Sequence, residues 1–278
     1  GGDKSTMEGY VKSNDDKQPV EFVNVVLKQE GRVIAGCVTD LDGYFKIKDL
    51  SSGTYNLQVQ GVGYQTIDVQ FVIKKASSYN IEVNIELQVS EVLKPVLYLY
   101  PKTKTDISIQ LNYDGKITHS YPTYTEQGWH VTATPDGTLF DNKGTEYYAL
   151  FWEGVPKKPI VPQYGFVVPG NETAAFLEEK LAYLGLNRRE ANEFIMFWLP
   201  RLENNPYNLI HFAGKTYEEQ SQLVITPQPE TMIRVMMLTQ PLSHKIDVPT
   251  QDLSALKKVR KGYTAVEWGG SEVMFLLP

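Results

Sequence analysis

The chain has 278 residues, 42% of them hydrophobic and 12% aromatic, with a net charge of −6. That is enough chain for two domains with real cores, so disorder is excluded as the default. Acids and bases alternate without a basic patch, which excludes nucleic acid as the natural partner because phosphate neutralisation needs clustered positive charge. The single cysteine, Cys37, rules out an internal disulfide or a multi-cysteine metal knot and reads as a small buried hydrophobe. No apolar run reaches the ~20 residues needed to span a bilayer. Gly1-Gly2-Asp3-Lys4-Ser5 reads as an expression scar and polar tether without a signal peptide, leaving room for a trimmed leader or a lipid anchor upstream.

The first third alternates apolar and polar residues with period two, as in Phe22, Val23, Val25, Leu27 and again Tyr44, Phe45, Ile47. Asp40-Leu41-Asp42-Gly43 reads as a turn. A calcium loop is disfavoured there because Ser51 stands where the twelfth-position Glu would be. Ile81, Val83, Ile85 and Leu87 form the closing strand, and residues 89–94 carry the chain to a boundary near Pro95.

The order of these blocks, from Gly9-Tyr10-Val11 through Thr39-Asp40-Leu41-Asp42-Gly43-Tyr44-Phe45 to Gly53-Thr54-Tyr55 and Gly63-Tyr64, resembles the carboxypeptidase regulatory-like domain. The resemblance implies a transthyretin-like β-sandwich over residues 7–88, an accessory rather than a catalyst, and none of the ligands of a peptidase.

From Pro95 on, strands are expected at Lys94–Tyr100, Ile107–Leu111, Trp129–Ala133 and Tyr147–Trp152. Tyr113-Asp114-Gly115, Pro135-Asp136-Gly137 and Asn142-Lys143-Gly144 read as hairpin turns between them. After Pro169-Gly170 the period changes to 3.6. Asn171 is placed to cap a helix with a Phe176, Leu177, Leu181, Leu184 stripe that ends at Gly185. Asn187 and Glu190 make a capping-box start for a second helix with Ala191, Phe194, Ile195, Trp198 and Leu199 on one face, disturbed at its end by Pro200. Strands resume at Leu209–Phe212, Gln222–Ile225 and Met232–Met237, and a final pair, Thr264–Trp268 and Glu272–Phe275, is separated by a Gly269-Gly270-Ser271 hairpin.

The fold class is therefore mainly β: a sandwich followed, over residues 94–278, by an α+β domain with an antiparallel sheet and an inserted helical hairpin. Lys94–Pro101, Phe151-Trp152-Glu153-Gly154, residues 185–194 and Val266-Glu267-Trp268-Gly269-Gly270 are similar to an uncharacterised family of bacterial envelope proteins. That resemblance implies a cell-envelope, periplasmic, surface or secreted location and no mechanism. The sandwich further resembles those fused to outer-membrane and surface proteins of the Bacteroides type.

Catalytic motifs are missing. There is no Gly-x-Ser-x-Gly elbow, Walker loop or dinucleotide fingerprint, and His119, His130, His211 and His244 are too far apart in sequence for a His-x-x-x-His pair. His119 and His130 could meet only across a hairpin, so neither a metal site nor a cofactor is expected. The sharpest candidates are Trp152-Glu153 and Glu267-Trp268. Two carboxylates ~5–9 Å apart can cleave a glycosidic bond, and flanking indoles can stack on sugar rings. Tyr98, Tyr100 and Tyr147, from a crowd that also includes Tyr113, Tyr121, Tyr124 and Tyr148, would add an outward recognition face.

The expected function is a non-catalytic envelope protein. The sandwich acts as a spacer, and the second domain binds a glycan or another envelope protein through Trp152, Trp268, Tyr98, Tyr100 and Tyr147. The alternatives are a glycan or peptidoglycan hydrolase using Glu153 and Glu267, and a structural subunit assembling through strand edges.

Overall fold

Residues 3–275 are described by a computed structural model, in which the chain divides into two units, Gly1–Gln88 and Val89–Pro278. In the first unit the period-two segments become β1 (Ser5–Ser13), β2 (Asn24–Gln29), β3 (Arg32–Val38), β4 (Tyr44–Leu50), β5 (Gly53–Gln60), β6 (Ile67–Ile73) and β7 (Ser78–Ile85). They form two sheets, β4-β1-β7 and β3-β2-β5-β6, whose inward residues Met7, Val11, Val25, Leu27, Phe45, Ile47 and Leu57 make one core. Every strand pair of this unit is antiparallel except β1 with β7. The Asp40 turn closes as its composition suggests: Oδ1 accepts the N–H groups of Asp42 (3.0 Å) and Tyr44 (2.9 Å). Cys37 is only half-buried, because β3 is an edge strand with a wet side, and the desolvation it does experience raises its thiol pKa.

The second unit contains β8 (Leu93–Tyr100), β9 (Thr105–Tyr113), β10 (Gly115–Tyr121), β11 (Trp129–Ala133), β12 (Leu139–Phe140), β13 (Glu146–Tyr147), β14 (Leu150–Pro156) and β15 (Phe166–Pro169). Helices α1 (Thr173–Leu184) and α2 (Arg188–Leu202) follow, then β16 (Tyr207–Ala213), a short α3 (Lys215–Gln220), β17 (Ser221–Thr226), β18 (Thr231–Leu242) and β19 (Thr264–Glu272). A seven-stranded sheet, β10-β14-β8-β19-β18-β16-β15, is antiparallel but for β18–β19, and a five-stranded sheet has the order β13-β12-β11-β9-β17.

The seven-stranded sheet lies between two cores. On one face Leu97, Leu99, Leu150, Trp152, Met236 and Ala265 pack with Ile107, Ile109, Trp129 and Val131 of the five-stranded sheet. On the other face Val96, Tyr98, Val235, Met237, Val266 and Trp268 pack with Leu177, Leu181, Phe194 and Trp198 of the two helices. Central strands β8, β18 and β19 are buried on both faces and accordingly read as near-continuous apolar runs instead of alternating ones.

The helical pair forms largely as its spacing predicts. Asn187 accepts the Glu190 N–H (2.9 Å), and the Glu190 carboxylate accepts the Asn187 N–H (2.9 Å), completing the capping box. Gly185 ends α1 in the left-handed region at φ 106°. Pro200 lies in the last turn of α2, which ends two residues further at Leu202. Two expectations are corrected. Asn171 does not cap α1, because residues Gly170–Glu172 already form a 3-10 turn and the helix begins behind it without a side-chain cap. Asp114-Gly115 makes no hairpin: β9 and β10 belong to different sheets, and the chain crosses between them there.

Gly269-Gly270-Ser271 is likewise not a turn but the interior of one strand, β19. Close approach explains the glycines. A Cβ on Gly270 would meet Trp198 Cζ2 at 2.3 Å and the Met237 carbonyl oxygen at 2.7 Å, and one on Gly269 would meet the Pro95 nitrogen at 3.0 Å. Opposite Gly269 the β8–β19 register shifts between Trp268 and Gly270, a bulge that accommodates Lys94 at φ 52° and lets Pro95 sit in a central strand.

Gly270→Ala should therefore destabilise the second unit by about 1–3 kcal/mol through overpacking. All four tryptophans, Trp129, Trp152, Trp198 and Trp268, lie in this unit, so urea unfolding followed by tryptophan fluorescence reads it directly. An unchanged midpoint would contradict the close approach.

Candidate functional site

Two helices cannot cover seven strands. The strands span about 29 Å at ~4.8 Å spacing, whereas two packed helices cover roughly 20 Å. Helix α2 lies over β8 and β19, where Phe194 meets Trp268 edge-on at 5.3 Å, and Phe176 of α1 stacks over Phe212 of β16 at 6.5 Å. The helix-side face of β14 and β10 is left bare. There the chain leaves β13 at the edge of the five-stranded sheet and enters β14, opening a cleft of about 340 Å³. Phe151 and Glu153 of β14 and Lys94 and Val96 of β8 form its floor, with Tyr121, Glu146, Tyr147 and Tyr148 around them. Tyr121 and Tyr148 are 64% and 57% exposed, and Tyr121 meets Tyr147 edge-to-face at 5.5 Å. Lys94 extends its ammonium over the Phe197 ring, 5.2 Å from its centre.

Beside this cleft stands a mixed carboxylate–imidazole cluster. Donor atoms of Glu91, His119 and Glu153 all lie within 4.8 Å of one another. His119 Nδ1 is 3.5 Å from Glu153 Oε2 and 3.9 Å from Glu91 Oε1. The strands dictate this meeting. Ile117 pairs with Gly154 but His119 pairs with Glu153, so an extra residue, Thr118, is bulged out. The bulge turns Ile117 toward the inter-sheet core and His119 to the opposite face, alongside Glu153. Glu91 joins them because its neighbour Val92 bridges Gly154 and is buried in the inter-sheet core. Its carbonyl also accepts the Ser271 hydroxyl at 2.8 Å. Thr118 Oγ1 donates to Glu91 Oε1 at 2.7 Å, and the Lys94 N–H donates to Glu153 Oε1 at 3.2 Å.

Most residues singled out from the sequence lie elsewhere. Glu153 and Glu267 do not meet: Glu153 faces the cleft, while Glu267 projects between the sheets and is 1% exposed. Arg234 Nε donates to Glu267 Oε2 at 2.7 Å, Tyr217 OH to the same oxygen at 3.2 Å, and Trp152 Nε1 to Oε1 at 3.1 Å. Burial with the Glu267 charge alongside raises the Tyr217 hydroxyl pKa well above its ordinary value. Trp152 and Trp268 are 1% and 0% exposed and offer no face to a sugar.

The tyrosines divide between structure and cleft. Tyr98 is buried, accepts the Trp268 indole N–H at 2.9 Å and donates to Glu193, and Tyr100 donates to Glu190 at 2.8 Å. Both therefore tie β8 to α2, and desolvation, followed by the charge or hydrogen bond of the partner carboxylate, pushes both hydroxyl pKa values up. Tyr147 does line the cleft, its hydroxyl 3.2 Å from Asp141 Oδ2. His130 lies in the other sheet against Ser108 and does not approach His119's cluster. Glu91, His119, Tyr121, Glu146 and Tyr148 were missed as site residues. Crowding of tyrosines was the only signal for two of them.

Residues 7–95 match the family described as the CarboxypepD_reg-like domain, which is a transthyretin-like β fold. The chain is 41% identical over 71 residues, 25% of its length and 73% of the relative's, to an uncharacterised protein in the bglA 3' region of Butyrivibrio fibrisolvens. Among solved structures it is similar to 5-hydroxyisourate hydrolase of Klebsiella pneumoniae: 21% identity, TM-score 0.26, over 30% of this chain and 85% of that one. It is also similar to a type II cohesin–X-dockerin complex from Acetivibrio cellulolyticus: 20% identity, TM-score 0.25, over 30% of this chain. The chain spans 58% of the length of that cohesin–dockerin chain. Among the described residues no helix is long and apolar enough to cross a membrane.

The Glu267–Arg234 pair makes a testable energetic statement. Arg234→Met strands a buried carboxylate and should cost about 3–5 kcal/mol, whereas Arg234→Met with Glu267→Leu should cost markedly less. Tryptophan-detected urea unfolding of both variants checks this. Equal costs would contradict a paired buried charge.

Proposed function

The chain belongs to the same family as the Butyrivibrio fibrisolvens protein and carries a CarboxypepD_reg-like domain, and on that premise we propose that it is a non-catalytic cell-envelope protein whose second unit binds glycans. The sandwich serves as its spacer. The observation that carries the reading is the cleft beside α2, a concave floor that mixes Phe151 and Val96 with Lys94 and Glu153, ringed by exposed tyrosines and Glu146. A volume of about 340 Å³ lies within the ~300–1,000 Å³ range of small-ligand sites. Tyrosine faces give broad contact with sugar C–H groups at small entropic cost, and Glu146 and Glu153 can accept hydroxyl hydrogen bonds.

The envelope setting rests on the resemblance, read from the sequence motifs of residues 94–275, to bacterial envelope proteins. No observation favours a paired-carboxylate hydrolase using Glu153 and Glu267, since the two face opposite sides of one sheet.

A thermal-shift screen of the full chain against oligosaccharides and peptidoglycan fragments tests the reading. A ligand at 100 times its Kd adds about 2.7 kcal/mol and should raise Tm by several degrees. Tyr121→Ala and Tyr148→Ala should abolish that rise while leaving the ligand-free Tm unchanged, because both rings are exposed. A rise that survives both substitutions would place the glycan elsewhere.

A further inference from the structure

We propose that Glu91, His119 and Glu153 form a binding site for a divalent first-row transition-metal ion at the rim of the cleft. The donor set is one imidazole nitrogen and two carboxylates, the mixture that zinc and its neighbours accept. Tetrahedral coordination at ~2.0–2.1 Å places donor atoms ~3.3–3.4 Å apart. The His119–Glu153 and His119–Glu91 separations of 3.5 and 3.9 Å therefore close onto an ion with small side-chain rotations.

Three features distinguish this cluster from a chance meeting of surface acids. First, two members lie in the strand ladder and the third stands next to a bridge to it. His119 and Glu153 are directly paired across β10 and β14, and Glu91 is fixed by the Val92–Gly154 bridge. Second, on Glu153 the remote oxygen and the ion-facing one are already separated in role. The Lys94 N–H holds Glu153 Oε1, leaving Oε2 toward His119, and Thr118 orients Glu91 by donating to the same Oε1 that faces His119. Such outer partners orient first ligands in known metal sites. Third, among the described residues neither Glu91 nor Glu153 has a Lys or Arg ion-pair partner, and Lys94, the nearest cation by sequence, turns its ammonium to Phe197 instead. Two converging carboxylates without a counter-cation are a site prepared for one.

Three protein ligands leave at least one coordination position open. Glu153 also lines the cleft, so the ion sits where the cleft meets solvent. The site stands on its own geometry and does not depend on the cleft's ligand being a glycan.

The test is isothermal titration calorimetry of the full chain with Zn²⁺ alone, against His119→Ala, Glu153→Gln and His130→Ala. His119 is 67% exposed, so its substitution leaves the fold intact, and Gln at position 153 keeps the acceptor for the Lys94 N–H. The expected result is one saturable site, weakened about tenfold or more by His119→Ala and by Glu153→Gln and unchanged by His130→Ala. No saturable binding to the native chain would overturn the proposal. So would binding that persists in both cluster variants, or that is lost with His130.

Discussion

A seven-stranded sheet has two faces to bury, and this chain supplies unequal cover for them. Five strands close one face, and two helices close only part of the other. Everything of functional interest in the second unit follows from that shortfall. The central strands β8, β18 and β19 are largely buried on both sides, and β8 reaches the cleft only with Lys94 and Val96. The strip over β14 and β10 stays open, and aromatic and acidic side chains line it.

Polar groups inside the covered region serve to lock the layers together. Glu267 with Arg234, Tyr217 and Trp152 joins the two sheets. Tyr98 and Tyr100 tie β8 to Glu193 and Glu190 of α2, and Arg260 from the β18–β19 connection reaches the same Glu190. Each carboxylate drawn into the interior thus arrives with donors, which is the condition for burying charge at all. Carboxylates beside the cleft differ. Glu91 and Glu153 face an imidazole and backbone or hydroxyl donors, but no fixed cation.

Much of this architecture was legible in the residues. Alternation marked the sandwich strands because each has one wet face, and Asn187 with Glu190 marked the start of α2 because a capping box is a local hydrogen-bond pattern. The failures share a cause, since each depends on contacts distant in sequence. Gly269-Gly270 looks like a turn, yet the glycines are there because Trp198 and Pro95 press against the strand. The acid–tryptophan pairs looked like a sugar site. In a strand, however, neighbours point to opposite faces, so Trp152 and Glu153 cannot flank one ligand, and Glu267 and Trp268 cannot either. The metal-binding cluster was hidden by a single bulged residue: without the shift at Thr118, His119 would face the inter-sheet core, away from Glu153.

The central claim is that the uncovered end of the sheet is where this unit meets its ligand. Hydrogen–deuterium exchange of the full chain, with and without a muropeptide digest, tests it most directly. Slowed exchange confined to residues 118–121 and 146–153 is the result the account expects. Slowing along residues 165–169 and 245–250, the wider groove at the opposite edge of the same sheet, with the cleft unchanged, would contradict it.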